Sequence, residues 1–155
     1  MRRKHRIIRN YEPDAIYKSS IATKFVNHLM KEGKKSVALA AFYRAMDIIK
    51  EETKQDPITI FDLALENVGP ALEVKSKRVG GANYQVPTPV NAERRMTLAF
   101  RWILNAVRSK KGQPIAKKLA AELIAASKNE GTAIKKKLDT HRMAEANRAF
   151  AHFSF

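Results

Sequence analysis

Apolar residues recur three or four positions apart over most of the chain, and one segment breaks that period. Ile21, Phe25 and Leu29 fall on one helical stripe, with Gly33 as a natural stop. From Lys35 to about Lys54 the series Leu39, Phe42, Met46 and Ile49 keeps the same spacing. Asp56 followed by Pro57 reads as a helix start, a capping side chain with proline in the first turn. The stripe Phe61, Leu65, Val68 leads from there to Gly69-Pro70. Helix resumes near Asn91 and runs to about Lys110. It restarts at Pro114, with Ile115, Leu119, Leu123 and Ala126 along one side, and again near Thr132. A short aromatic tail, Phe150 to Phe155, follows.

Between the third and fourth helices the period changes. Glu73 to Val79 is charged and partly alternating, Gly80-Gly81 is a turn signal, and Tyr84-Gln85-Val86-Pro87 is a second extended run. The pattern predicts a mainly α fold, a six-helix body with one protruding two-stranded β-hairpin between the third and fourth helices. Pro87 and Pro89 should make the return strand irregular or solvent-edged. With 155 residues and 45% hydrophobic content the chain fits one domain, 1–155, with a real core. Its appendages are a basic arm over 1–12, the hairpin over 72–90 and the tail over 149–155.

Charge then narrows the class. Thirty Lys/Arg against fifteen Asp/Glu give a net charge of +15, which points to a polyanionic partner: RNA, DNA or an anionic membrane surface. The charge is partitioned. Residues 36–72 hold three Lys/Arg and six Asp/Glu, whereas residues 73–111 hold nine and two. No apolar run approaches the roughly 20 residues of a membrane span, and the N-terminus has no apolar core of a secretory signal, so no membrane role is expected. The absence of cysteine excludes disulfides and thiolate metal sites.

Within the basic segments the hairpin is the sharpest feature. Lys75, Lys77 and Arg78 lie on one strand, Tyr84 and Gln85 on the other, and Gly80 and Gly81 at the tip. An isolated two-stranded ribbon buries little, so a partner should order it: cations for phosphates, a Tyr face for an unpaired base. On the next helix Arg94, Arg101 and Arg108 are spaced by seven and form one stripe, with Arg95 beside its start. No Glu stands four residues from Arg101 or Arg108, which suggests an external anion. Ala99, Ile103 and Val107 can face the core, while Leu98, Trp102 and Ala106 lie near the stripe. Weaker groups are the arm (Arg2, Arg3, Lys4, Arg6, Arg9), Lys34-Lys35 at a helix junction, and Lys135-Lys136-Lys137 with Arg142.

Catalytic chemistry finds no support. Gly33-Lys34-Lys35-Ser36 superficially resembles a phosphate-binding loop but lacks the glycine-rich lead-in and a preceding strand. His5, His28, His141 and His152 have no metal-ligand spacing. A non-enzymatic protein without cofactor or metal is expected.

Longer motifs carry a resemblance. Glu73-Val-Lys-Ser-Lys-Arg-Val-Gly-Gly-Ala-Asn-Tyr-Gln-Val-Pro87 closely resembles the hairpin of the bacterial small-subunit ribosomal protein S-seven family. Ala64 to Val68, Arg101-Trp-Ile103, Gly131 to Lys136 and His141 to His152 are similar to the same family, in order along the chain. The resemblance implies a structural constituent of the small subunit and a primary binder of the 3′ major domain of 16S ribosomal RNA that nucleates the head. It also implies a hairpin near messenger and exit-site transfer RNA, neighbouring small-subunit proteins of the head and platform, a cytoplasmic ribosomal location and no stable homo-oligomer. The RNA contacts it implies are the arm, Lys34-Lys35, the hairpin from Lys75 to Tyr84 and Arg94-Arg95, with Gln85, Arg101, Lys110-Lys111, Lys135-Lys136 and Arg142 as further candidates. Asn91 stands where the family often has arginine, and Pro89 and Glu93 also depart from its pattern, so a shorter return strand is expected. The alternative from charge alone is a general nucleoid-type DNA-binding protein.

Overall fold

A computed structural model describes residues 11–153, so the arginines and lysine of the arm (Arg2, Arg3, Lys4, Arg6, Arg9) lie outside the described residues. Six α-helices follow the expected order: α1 Ser20–Leu29, α2 Lys35–Thr53, α3 Pro57–Val68, α4 Ala92–Ser109, α5 Ile115–Ser127 and α6 Thr132–Ala146. Strands β1 Leu72–Val79 and β2 Ala82–Pro89 separate α3 from α4, and a 3₁₀ helix over Arg148–Phe153 follows α6.

The helix ends are set by local chemistry. Ser19, Asp56 and Asn91 each accept a backbone N–H from the first turn of α1, α3 and α4 respectively. Asn91, one of the departures from the family pattern, is therefore a cap: its side chain accepts from the Arg94 amide at 2.9 Å.

Four phenylalanines, one from each of α1 to α4, meet at the centre. Phe25 stands edge-on to Phe61 (5.2 Å between centroids) and to Phe100 (5.4 Å), and Phe42 stands edge-on to Phe61 (5.6 Å). All four are at most 2% exposed. Such edge-to-face pairs add directional attraction to the burial of each ring. The surrounding cluster of buried residues draws on all six helices, with Leu119 and Leu123 from α5 and Ile134 from α6. On α4 the buried face is wider than the sequence suggested. Leu98, Phe100, Leu104 and Ala106 join Ala99, Ile103 and Val107, because α1, α3, α5 and α6 all pack against this helix.

The return strand is not shortened. β1 and β2 pair over eight residues each, from Leu72↔Pro89 to Val79↔Ala82. The two-residue turn has positive φ at both Gly80 (56°) and Gly81 (92°), as a primed hairpin turn requires. Counting from the closing pair, hydrogen-bonded and non-hydrogen-bonded pairs alternate, and the Val90 N–H to Ala71 carbonyl bond fixes the phase. Pro87 and Pro89 thus occupy non-hydrogen-bonded positions, where the missing N–H would point away from β1. The ladder loses nothing.

Candidate nucleic-acid interface

The ribbon has a covering layer on one side. Val86 and Pro87 are buried, and α6 and the 3₁₀ helix pack against the strands. The ring of Tyr84 sits 5.1 Å from Phe150 and 5.2 Å from Phe153, and Lys77 Nζ donates to the Phe153 carbonyl at 2.9 Å. Tyr84, expected to stack a base, is half-buried and lies tilted against these two rings of its own chain. The short aromatic tail, through Phe150 and Phe153, supplies apolar surface that an isolated hairpin lacks. The tip remains exposed at Arg78, Gly80, Gly81 and Asn83, as does Gln85 on β2.

The arginines of α4 are divided by what they touch. Arg94 reaches back to β1, where its Nε and Nη2 both lie 3.1 Å from Glu73 Oε2. Lys75 Nζ is 3.2 Å from Glu73 Oε1. Burial alone would raise the Glu73 carboxyl, but the hydrogen bonds from Lys75 and Arg94 outweigh it and hold it below its ordinary value. Arg95 Nη2 donates to the Glu66 carbonyl at 3.3 Å, and its stem lies against Gly69, where a Cβ would meet Arg95 Cγ at 2.9 Å. Arg108 Nη2 donates to the carbonyls of His28 (3.3 Å) and Leu29 (3.2 Å), the free C-terminal end of α1. The expected stripe of unpaired guanidiniums is therefore three tethers and one exception. Arg101 alone among these four is exposed with no hydrogen bond or ion pair to a described residue.

Lys110 and Lys111 part company in the same way. Lys110 Nζ lies 2.6 Å from Oε2 of Glu122, a carboxylate with 0% exposure. The other oxygen of Glu122 accepts the Ala133 N–H at 2.9 Å, so this side chain joins the end of α4 to the start of α6. Lys111 is exposed. On α6 Lys137, the third of the lysine run, turns inward and donates to the Asn67 carbonyl at 2.6 Å. The Asn67 amide donates to the carbonyls of Ala126 (3.1 Å) and Ser127 (3.0 Å), so the ends of α3 and α5 share one cross-link with α6. Burial, then the nearby Arg95, lower the Lys137 ammonium from its usual range.

What is left is an array of outward cations. Among the described residues Lys35, Arg78, Arg101, Lys111, Lys135, Lys136 and Arg142 are exposed and make no side-chain hydrogen bond or ion pair with another described residue. Among the described residues the Lys34 side chain is engaged only by the exposed Glu32 at 3.0 Å, a contact of little energetic weight. The α2 start beside it, at Lys35, has no side-chain cap. Sequence reasoning missed Glu73, Asn67 and Glu122 as organisers, because each has at least one partner more than ten residues away along the chain.

Known proteins resemble this chain over nearly its whole length. The family described as "Ribosomal protein S7p/S5e" matches residues 1–148. The "Small ribosomal subunit protein uS7" of Thermotoga petrophila is 56% identical over 153 residues, 99% of both chains. Those of Thermosipho melanesiensis and Desulforamulus reducens are each 54% identical, the latter over 94% of this chain and 93% of its own. With matched residues running from the basic arm through the hairpin to α6, the chain belongs to the S7p/S5e family of small-subunit ribosomal proteins.

Proposed function

We propose that this protein is a structural, non-catalytic RNA-binding component of the cytoplasmic small ribosomal subunit. It acts as one domain over 1–155, as a primary binder of the 3′ major domain of 16S ribosomal RNA that nucleates the subunit head. The hairpin tip, with Arg78, Gly80, Gly81 and Gln85, is then placed near messenger and exit-site transfer RNA, and other ribosomal proteins are its protein neighbours. The observation that supports the reading is the exposed cation array on a chain of this family: Lys35, Arg78, Arg101, Lys111, Lys135, Lys136 and Arg142 make no ion pair among the described residues. Affinity should come mostly from phosphate neutralisation, specificity from the shape of a folded junction. Lys34, Lys75, Lys77, Arg94, Arg95 and Lys110 contribute second, because each already has a partner within the chain.

The test is a salt titration of binding to a 3′ major domain transcript against duplex DNA of equal length. Preferential RNA binding is expected, and Arg101→Ala should reduce the log–log salt slope by roughly 0.7–0.9, the value of one phosphate contact. Equal affinity for the duplex DNA points instead to general, nucleoid-type binding.

A further inference from the structure

We propose that the concavity between α1 and α4 receives one unpaired nucleobase of the bound RNA. The proposal rests on the RNA-binding reading above and adds a site to it. Between the two helices lies a cavity of about 630 Å³, a size typical of ligand sites, which run from roughly 300 to 1,000 Å³.

Its chemistry is mixed in a way that suits a flat heterocycle. Phe100, 2% exposed, supplies an apolar floor with Met30 and Met96 beside it. Tyr11 lines the same space with its residue 37% exposed, and the Lys24 ammonium lies 5.3 Å from its ring centroid. An aromatic surface flanked by a cation is what sequence-tolerant base stacking uses. Tyr84, the aromatic residue that sequence favoured for this task, is already held by Phe150 and Phe153. Tyr11 is not held in that way by any described aromatic ring.

Hydrogen-bonding groups line the walls. The Asn27 amide, with two donors and an acceptor, makes no hydrogen bond to a described residue. His28 lines the cavity with its ring 5.4 Å from that of Phe100. Burial, then Arg101, lower its pKa, so at neutral pH the imidazole offers one donor and one acceptor. Glu93 also lines the space. A carboxylate repels phosphate but accepts the N–H groups of a base edge, which keeps the backbone outside with the cations. A base inside a duplex cannot enter such a recess, whereas a bulged or junction base can be splayed into it.

The experiment compares two RNA hairpins of equal length binding to the full chain. One is continuously paired, and the other carries a single bulged 2-aminopurine whose fluorescence reports stacking. The bulged hairpin should bind roughly tenfold more tightly, the scale of one stacked base, with quenched fluorescence. Asn27→Leu, and Thr97→Phe at a further residue that lines the cavity, should each abolish that preference and leave the affinity for the paired hairpin unchanged. Helical circular dichroism checks that both variants fold. Equal affinity of the unaltered protein for the two hairpins, or a preference that survives both substitutions, overturns the base site while RNA binding stands. Failure to bind either hairpin overturns the RNA reading and the site with it.

Discussion

Lys110 and Glu122 form a 2.6 Å ion pair in which the acid is completely buried and the base is 41% exposed. The asymmetry decides what each substitution does. Glu122→Ala leaves the Ala133 N–H without its acceptor, at a cost of about 1–3 kcal/mol, whereas the freed ammonium can turn to water. Lys110→Met is the harsher change, because the carboxylate stays inside without its cation. Urea unfolding should rank Lys110→Met below Glu122→Ala in stability, with both below the unaltered protein. The reverse order would mean the carboxylate finds water.

Gly131 borders the same carboxylate. Its φ is 96°, and a Cβ there would lie 3.0 Å from Glu122 Oε1. Gly131→Ala should therefore destabilise twice over, by backbone strain of about 1 kcal/mol and by displacing the acceptor of Ala133. Combined with Glu122→Ala it should cost less than the sum of the two, since the second effect is then already lost. A double-mutant cycle measures the difference, and strict additivity would count against the shared mechanism.

Phe25 touches three other aromatic rings of the core, those of Phe42, Phe61 and Phe100. Phe25→Ala should cost about 3–5 kcal/mol, while Leu63→Ala on the exposed side of α3 should stay within about 0.5 kcal/mol. Thermal unfolding followed by circular dichroism separates the two.

His141 makes stability depend on pH. Its Nε2 accepts the Ala71 N–H at 3.2 Å, and burial, then Lys137, lower its pKa from 6.5. A histidine harder to protonate when folded binds fewer protons than in the unfolded chain, so stability rises with pH. The contribution is complete above the unfolded value of 6.5 and is lost as pH falls from there toward the folded pKa. His28 is shifted the same way, by burial and then Arg101. Urea midpoints between pH 7.5 and 5.5 should fall with pH, and His141→Gln should flatten that fall. An unchanged slope would remove His141 from the account.

Much of the scaffold was readable because its signals are local. Asp56-Pro57 marks the α3 start, Gly80-Gly81 the turn, and the apolar stripes carry Phe25, Phe42 and Phe61 into the core. The fate of the cations was not readable, because their partners are distant. Arg94 finds Glu73 across 21 positions and Arg108 finds the α1 carbonyls across about 80. A search for carboxylates four residues away cannot see either, and it is blind to backbone carbonyls altogether. Asn27 and Tyr11 escaped notice for the opposite reason: an uncharged amide and a lone aromatic carry no sequence signal until two helices are brought side by side.

The clasp on the hairpin bears on the order in which the chain takes shape. The turn and the ladder of β1 and β2 join neighbours, so the ribbon can zip within microseconds of leaving the exit tunnel. Its fastening, Lys77 to the Phe153 carbonyl, spans 76 positions and comes only after α4, α5 and α6 have been synthesised. At about 5–20 residues per second that interval lasts several seconds. Throughout it the nascent chain displays a basic, unfastened ribbon with Tyr84 uncovered, next to a helical core that is still incomplete.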